Sequence, residues 1–223
     1  MTIQVLTKNF LNLIYPIHCY ICEKNLDPIA GSGLCDMCRS KIRYNPKAHS
    51  QADKCSNLER SYSSCLYEGP LKELIHQFKY NRKAAIGRIL SGFMIEYINE
   101  NSEILNGIDL ITFVPLENSR LRERGFNQSR MLASNISKKF GIAFEDTLKK
   151  TEKTLHQSEL SREERLVNLN GAFKTKDNTL LGGCRILLID DVMTTGATLD
   201  ECAKTLLAAG AKSVRGFTLA RGI

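Results

Sequence analysis

Residues 186–198 have the sequence ILLIDDVMTTGAT, and this stretch decides the fold. Four consecutive apolar residues predict a buried strand, and the segment after Gly196 has the pattern of a helix. Two acids and a turn rich in hydroxyl groups join the two elements. Backbone N–H groups at such a turn, together with the positive end of the helix, bind a phosphate well. Gly196 allows the backbone to approach that phosphate closely.

The adjacent acids Asp190 and Asp191 predict contact with a sugar. Carboxylates at the carboxyl end of a parallel strand can accept hydrogen bonds from two neighbouring ribose hydroxyls. The alternative is that the acid pair only caps the following helix. No Gly-Lys-Ser/Thr follows, so the stretch is not a Walker loop. It therefore indicates a site for a phosphorylated sugar.

The remainder of residues 65–223 alternates between apolar strands and amphipathic helices. This alternation predicts an α/β domain with a mostly parallel sheet flanked by helices. A polar stretch from 148 to 164 predicts a mobile loop. Helices are predicted over 71–80, 84–99, 128–140, 161–169 and 197–209, and strands over 110–114, 185–189 and 214–220.

Residues 1–64 have a different composition and predict a separate unit. An amphipathic helix is expected near the N-terminus, ending close to Pro16, followed by a segment with few apolar runs. Two Cys-x2-Cys pairs, twelve residues apart, indicate one tetrahedral metal site in which four thiolates hold a structural Zn²⁺. Paired disulfides or unrelated buried cysteines are the alternatives. The predicted ligands are Cys19, Cys22, Cys35 and Cys38.

The composition of the 223 residues, with 43% hydrophobic and 25% charged, excludes disordered and collagen-like classes. No apolar run approaches the ~18 residues needed to cross a bilayer, and no export signal is evident. We therefore expect a soluble cytoplasmic protein. The formal net charge of +7 makes an anionic partner plausible.

Four further stretches give the chain a family resemblance. They are LIHQFKY at 74–80, VPL at 114–116, RERGFNQ at 122–128, and a pattern formed by Gln157, Leu160, Arg165, Asn168 and residues 172–173. With residues 186–198, they make the chain similar to type I phosphoribosyltransferases. More narrowly, it resembles the ComF/GntX family, in which a Cys₄ zinc module precedes that fold. The resemblance covers nearly the whole chain. Many relatives carry additional Cys-x2-Cys pairs, whereas here Cys55 stands isolated, so a second zinc is not expected.

The resemblance implies that the chain binds phosphoribosyl pyrophosphate (PRPP) with Mg²⁺. The pyrophosphate loop would correspond to residues 114–119, and a flexible hood loop to residues 149–164. The implied PRPP-binding residues are Pro115, Leu116, Asp190, Asp191, Val192, Met193, Thr194, Thr195, Gly196, Ala197 and Thr198.

A second set of residues is expected to contact pyrophosphate or nucleic acid. Its arginine run is predicted to lie in a loop ahead of a helix, where guanidinium groups can bind phosphate oxygens. The alternative for such a run is a solvated face. The set comprises Lys79, Arg120, Arg122, Arg124, Asn127 and Arg165.

Three functions follow from the resemblance and the residues. The first is an accessory role in natural transformation, in which the protein binds PRPP and single-stranded DNA on the cytoplasmic side and contacts DNA-uptake proteins. The second is a Mg²⁺-dependent transferase that moves phosphoribose to an acceptor, and the third is a PRPP sensor without turnover. The sequence contains no recognisable base-binding pocket and assigns no catalytic group.

Overall fold

The computed structural model describes residues 17–27, 33–46, 55–80, 84–151, 171–176 and 181–222. Within these ranges the strands are β1 Arg60–Leu66, β2 Leu110–Phe113, β3 Ala143–Phe144, β4 Leu148–Lys150, β5 Phe173–Thr175, β6 Arg185–Met193 and β7 Ser213–Arg221. The α-helices are α1 Asp36–Ser40, α2 Gly69–Tyr80, α3 Ala84–Glu100, α4 Asn118–Arg124, α5 Gln128–Phe140 and α6 Ala197–Ala208, and a short 3₁₀ turn spans Ser102–Ile104.

Five strands form one parallel sheet in the spatial order β1-β7-β6-β2-β3. The chain passes from β2 outward to β3 and then returns to β6, which lies on the other side of β2. From β6 it continues outward to β7. The direction of winding therefore reverses between β2 and β6, and this reversal places a crevice at their carboxyl ends.

Both faces of the sheet are covered, which explains the uninterrupted apolar run in β6. Leu187 and Ile189 belong to a buried cluster that includes residues of α2, α3 and α5. Ile186 and Leu188 belong to a second cluster, packed with residues of α6. Because successive strand side chains point to opposite faces, a strand covered on both sides must be apolar at every position.

The type I phosphoribosyltransferase-like α/β fold predicted from the sequence is confirmed, with several local differences. Helix α5 has the predicted bounds, and α2, α3 and α6 differ by one or two residues at their ends. Strand β6 continues four residues beyond 189 because it remains paired with β7 up to Met193. The sequence did not predict β1, which begins at Arg60, before the expected domain boundary, nor the antiparallel β4-β5 pair.

Three other predictions concern the arginine run and parts of the chain outside the described residues. Residues 118–124 form helix α4, so the expectation of a loop there was wrong. Gly125, with φ at 78°, ends that helix in the left-handed conformation that glycine adopts readily. The predicted N-terminal helix and the helix at 161–169 lie outside the described residues.

The cysteine segment, residues 17–27 and 33–46, packs against α3. The Arg39 guanidinium lies 5.0 Å from the centroid of the Phe93 ring, and Glu96 forms contacts with both Arg39 and Tyr44. Buried residues of this segment belong to the same apolar cluster as α2 and α3. Among the described helices, none is both long and apolar enough to span a bilayer.

Candidate functional site

A cleft of about 180 Å³ lies at the switch point between β2 and β6. Pairing between these strands ends at Phe113 and Ile189, so the rest of β6 projects beyond β2. Asp190 and Asp191 occupy this projecting part. The segment after β2, starting at Val114, forms the facing side of the cleft.

The two acids have different surroundings. Asp190 Oδ1 accepts hydrogen bonds from Ser129 Oγ and from the Asp191 backbone N–H, both at 2.8 Å. Burial and the neighbouring Asp191 charge raise the pKa of Asp190 to about 7. Asp191 Oδ2 lies 2.6 Å from Lys79 Nζ at the end of α2. One carboxyl group is therefore poised to hold a proton near neutral pH, and the other is paired with a cation.

The turn after β6 has the geometry of an anion-binding helix start. Gly196, with φ at 81°, is the N-cap of α6, and its backbone conformation strongly disfavours any side chain. Helix α6 begins at Ala197, whose N–H donates to Thr195 Oγ1 at 3.4 Å. The free N–H groups of this first turn and the Thr198 side chain, which lines the cleft, can donate to a phosphate.

The opposite wall carries two buried donors without acceptors. Arg124 Nη1 donates to Gln128 Oε1 at 3.1 Å, and the Arg124 guanidinium lies 5.5 Å from the Tyr80 ring centroid. Arg124 Nε and Gln128 Nε2 have no hydrogen-bond partner among the described residues, although both residues line the cleft. Buried polar groups are rarely left unpaired, so both donors are available to an acceptor-rich ligand in the cleft.

Asn127 holds this wall together. Its Nδ2 donates to the Val114 carbonyl oxygen at 3.0 Å, and its Oδ1 accepts from the Arg130 N–H at 3.0 Å, which caps α5. The side chain therefore connects the loop after β2 to the start of α5. Its bonds are consistent with a positioning role, whereas direct ligand contact was the expectation from the sequence.

The structure brings some predicted residues to the cleft and leaves others away from it. Val192 packs against the core, Met193 is buried, and Arg122 is exposed on α4 away from the cleft. Arg165 and most of the predicted hood loop lie outside the described residues. The predicted residues that line the cleft are Lys79, Pro115, Leu116, Arg120, Arg124, Asn127, Asp190, Asp191 and Thr198.

The cleft also contains residues that were not assigned from the sequence. Gln128 belongs to the RERGFNQ stretch, whose spacing could have identified it, and Ser129 follows it directly. Lys150 was not identified from the sequence, because the segment that contains it was predicted to be a polar loop. Burial lowers the pKa of Lys150, although Glu117, 3.8 Å away, opposes that effect.

The four predicted metal ligands come together as expected. The Sγ atoms of Cys19, Cys22, Cys35 and Cys38 all lie within 4.8 Å of one another, and no disulfide joins them. The Cys22 and Cys35 Sγ atoms are 3.6 Å apart. A tetrahedral site with Zn–S bonds of ~2.3 Å requires sulfur atoms ~3.8 Å apart. The cluster can therefore bind a metal such as zinc.

Backbone N–H groups donate to sulfur atoms of this cluster. The Cys38 N–H donates to Cys35 Sγ at 3.4 Å. Burial opposes ionisation of Cys19, but backbone N–H groups of neighbouring residues outweigh it and lower its pKa to about 6. At Gly33, with φ at 64°, a Cβ atom would lie 2.7 Å from the Tyr20 ring, so only glycine fits between the two cysteine turns.

The chain is similar to several known proteins. The family described as "Phosphoribosyl transferase domain" matches residues 127–223. "DNA utilization protein YhgH" of Salmonella typhimurium is 30% identical, covering 94% of this chain and 99% of that protein. "Competence protein F" of Haemophilus influenzae is 30% identical over 96% of this chain and 99% of its own length. "Competence protein ComFC" of Bacillus subtilis is 30% identical over 91% of this chain and 83% of its own length.

Proposed function

Because this chain belongs to the ComF family of competence proteins and has a type I phosphoribosyltransferase fold, we propose that it binds PRPP and single-stranded DNA during DNA uptake. The names of the similar proteins, which refer to competence and DNA utilization, support the role in DNA uptake. We place this activity on the cytoplasmic side of the membrane, where incoming DNA arrives as a single strand.

One observation carries the PRPP part of the proposal. Arg124 Nε and Gln128 Nε2 are buried donors that find no acceptor in the part of the chain that the structure describes, and their residues line a cleft together with Asp190 and Asp191. PRPP carries both complementary groups, because its pyrophosphate accepts hydrogen bonds and its ribose hydroxyls donate them. A ligand with only one of these groups would leave half of the cleft unused.

The residues suggest how PRPP would be held. Asp190 and Asp191 accept hydrogen bonds from the ribose hydroxyls, and the first turn of α6 binds the 5′-phosphate. Arg124 and Gln128 contact the pyrophosphate. Lys79 must then weaken or break its ion pair with Asp191, and its ammonium group can pair with the pyrophosphate instead. The position of Lys79 at the end of α2 would then depend on whether PRPP occupies the cleft.

Mg²⁺ is the cation that we expect to accompany PRPP. The carboxylate oxygens of Asp190 and Asp191 belong to the ligand type that Mg²⁺ prefers, so the residues present are compatible with it. When bound, the ion would neutralise part of the pyrophosphate charge. Zn²⁺ in the four-cysteine cluster would be structural, because four protein sulfurs leave no open coordination position.

A transferase activity is the second candidate, favoured by a larger groove of about 990 Å³ that adjoins the cleft and leaves room for an acceptor. In that reaction the bond between ribose C1 and the pyrophosphate oxygen breaks, and an acceptor nucleophile forms a new bond to C1. Pyrophosphate leaves with the bonding electron pair. A PRPP sensor would use the same residues without this step.

Calorimetric titration with PRPP, with and without Mg²⁺, tests the proposed site. We expect Arg124→Gln to weaken PRPP binding at least tenfold, because it removes a charge-assisted contact. Arg122→Gln is the matched control, since it removes the same charge from the exposed face of the same helix. The Asp190→Asn/Asp191→Asn double variant should abolish binding.

Two results would contradict the proposal. The first is an absence of PRPP binding to the folded wild-type protein, and the second is equal weakening by Arg122→Gln and Arg124→Gln. If PRPP binds, release of pyrophosphate in the presence of DNA or other acceptors distinguishes a transferase from a sensor.

A further inference from the structure

A groove of about 990 Å³ lies between α5 and the antiparallel β4-β5 pair, beside the cleft proposed for PRPP. Its lining is strongly cationic, and Asp146 is the single carboxylate among the described residues that line it. We call it the basic groove. Six basic side chains line it: Arg130, Lys138, Lys149, Lys150, Lys174 and Lys176.

One wall of the basic groove is a face of α5. Arg130, Ser134 and Lys138 are spaced at intervals of four residues, so they lie along one side of the helix. The Arg130 guanidinium lies 6.0 Å from the Phe144 ring centroid. Lys138 is exposed near the end of the helix. These cations are distributed along the wall and do not converge on one point.

The other wall contains a repulsive pair of lysines. Lys149 and Lys174 stand directly opposite each other in the antiparallel register of β4 and β5, and both are exposed. Like charges at such a position destabilise the pairing of two strands. Asp146 offsets part of the charge through an ion pair with Lys176 at 2.7 Å.

The surface between the walls is partly apolar. Phe113, Leu121, Phe126 and Met131 line the basic groove, and Leu121 is 40% exposed. An unpaired strand presents both charged phosphates and exposed base faces, whereas a duplex hides its bases. Cationic walls with apolar side chains between them therefore match a single strand.

The basic groove joins the PRPP cleft. Pro115, Leu116, Asn127 and Lys150 line both spaces, whereas Lys138 and Lys174 line only the basic groove. The two spaces can therefore be tested separately.

We propose that the basic groove binds the backbone phosphates of single-stranded DNA through the cations of α5 and of the antiparallel β4-β5 pair. The identity of the partner rests on the proposed function, whereas the location rests on the charges and shape described above. The surface differs from the one expected from the sequence, which placed the DNA contacts mainly on the arginines of residues 120–124.

Fluorescence anisotropy with a labelled oligo-dT strand and the full chain tests this location. We expect Lys138→Gln/Lys174→Gln to weaken binding about tenfold, since each lysine contributes a phosphate contact. The slope of log affinity against log salt should decrease in magnitude by about 1.4, because each lost contact to a single strand contributes about 0.7. PRPP titration should be unchanged by this pair.

Lys139→Gln/Lys212→Gln is the matched control. Both residues are exposed; Lys139 follows Lys138 on α5 without lining the basic groove, and Lys212 directly precedes β7, which lies between β1 and β6. Equal weakening by the two pairs would overturn the proposal, because only net charge would then matter. If Lys138→Gln/Lys174→Gln leaves the affinity for the oligo-dT strand unchanged, the proposed location is wrong, although the protein still binds DNA. A wild-type protein that binds no single strand would overturn both this proposal and the DNA part of the proposed function.

Discussion

Asp190 shows how position changes the chemistry of a single residue. Its carboxyl group lies on the part of β6 that projects beyond β2, accepts a hydrogen bond from Ser129 and lies next to Asp191. Burial penalises the charged form, so the folded protein holds a proton that an exposed aspartate would release. A ligand that donates hydrogen bonds to this group is complementary to its ionised form. The sequence identified this residue, but its pKa depends on the neighbours that folding supplies.

Stability against pH tests this residue-scale effect. Burial and Asp191 raise the pKa of Asp190 from 3.8 to about 7. Between these values the unfolded chain loses a proton that the folded chain keeps, so the wild-type free energy of unfolding falls as pH rises. Asp190→Asn removes the ionisable group, so its free energy of unfolding should not fall for this reason as pH rises. We expect the difference in free energy of unfolding, variant minus wild type, to increase by about 2 kcal/mol or more between pH 4 and pH 7.

Denaturant unfolding at several pH values measures this difference. The relative stability of the variant should level off above pH 7, where Asp190 is ionised in both states. A difference that stays constant from pH 4 to pH 8 would contradict the raised pKa.

At the scale of elements, short turns determine where the functional groups lie. Gly196 ends the turn after β6 and starts α6, and Asn127 caps α5 while holding the loop after β2. The two cysteine turns likewise bring four sulfur atoms together within a segment that lacks long apolar runs. In such a segment, metal ligation adds to the stability that burial supplies.

Metal content tests the cysteine turns. We expect the purified full chain to contain about one zinc per molecule, because four thiolates complete a tetrahedral site. Cys35→Ser should lose most of this metal and become sensitive to proteases within residues 17–46. Cys55→Ser is the control, since Cys55 lies outside the cluster. Elemental analysis and limited proteolysis measure the two effects, and equal metal loss in both variants would contradict the assignment.

At the scale of the whole molecule, the cysteine segment and the α/β domain form a shared apolar cluster. Leu34 and Ile42 of the cysteine segment belong to the same buried cluster as residues of α2 and α3. Polar contacts at Glu96 reinforce the junction, because this carboxylate binds both Arg39 and Tyr44. The four-cysteine cluster is therefore attached to the domain that contains the cleft between β2 and β6.

Removing the carboxylate at residue 96 tests this junction. We expect Glu96→Ala to cost about 1 kcal/mol, because partly exposed ion pairs contribute little and one hydrogen bond is lost with them. Amide hydrogen exchange in residues 33–46 should accelerate. Glu100→Ala, on an exposed position of the same helix, is the control. Unchanged exchange in both variants would show that apolar packing alone holds the segment.

The agreement between sequence and structure depends on how local each signal is. The bounds of α5 were predicted because Asn127 and Gly141 are cap residues whose preferences act within one turn. Strand β1 was missed because its pairing with β7 joins residues far apart in the chain. Helix α4 was predicted as a loop because its arginines show no buried periodicity, and none of its residues is buried.

The sequence by itself determined the α/β fold, the four-cysteine cluster, and the strand, acid pair and turn of residues 186–198. These depend on short spacings and on periodicities that a single segment carries. Only the tertiary structure decided that Arg124 and Gln128 line one cleft with the acids, where each has a donor without an acceptor among the described residues, and that Lys138 and Lys174 line one basic groove. These residues lie on separate elements, and their distances depend on how the sheet orders its strands and how α5 packs on it.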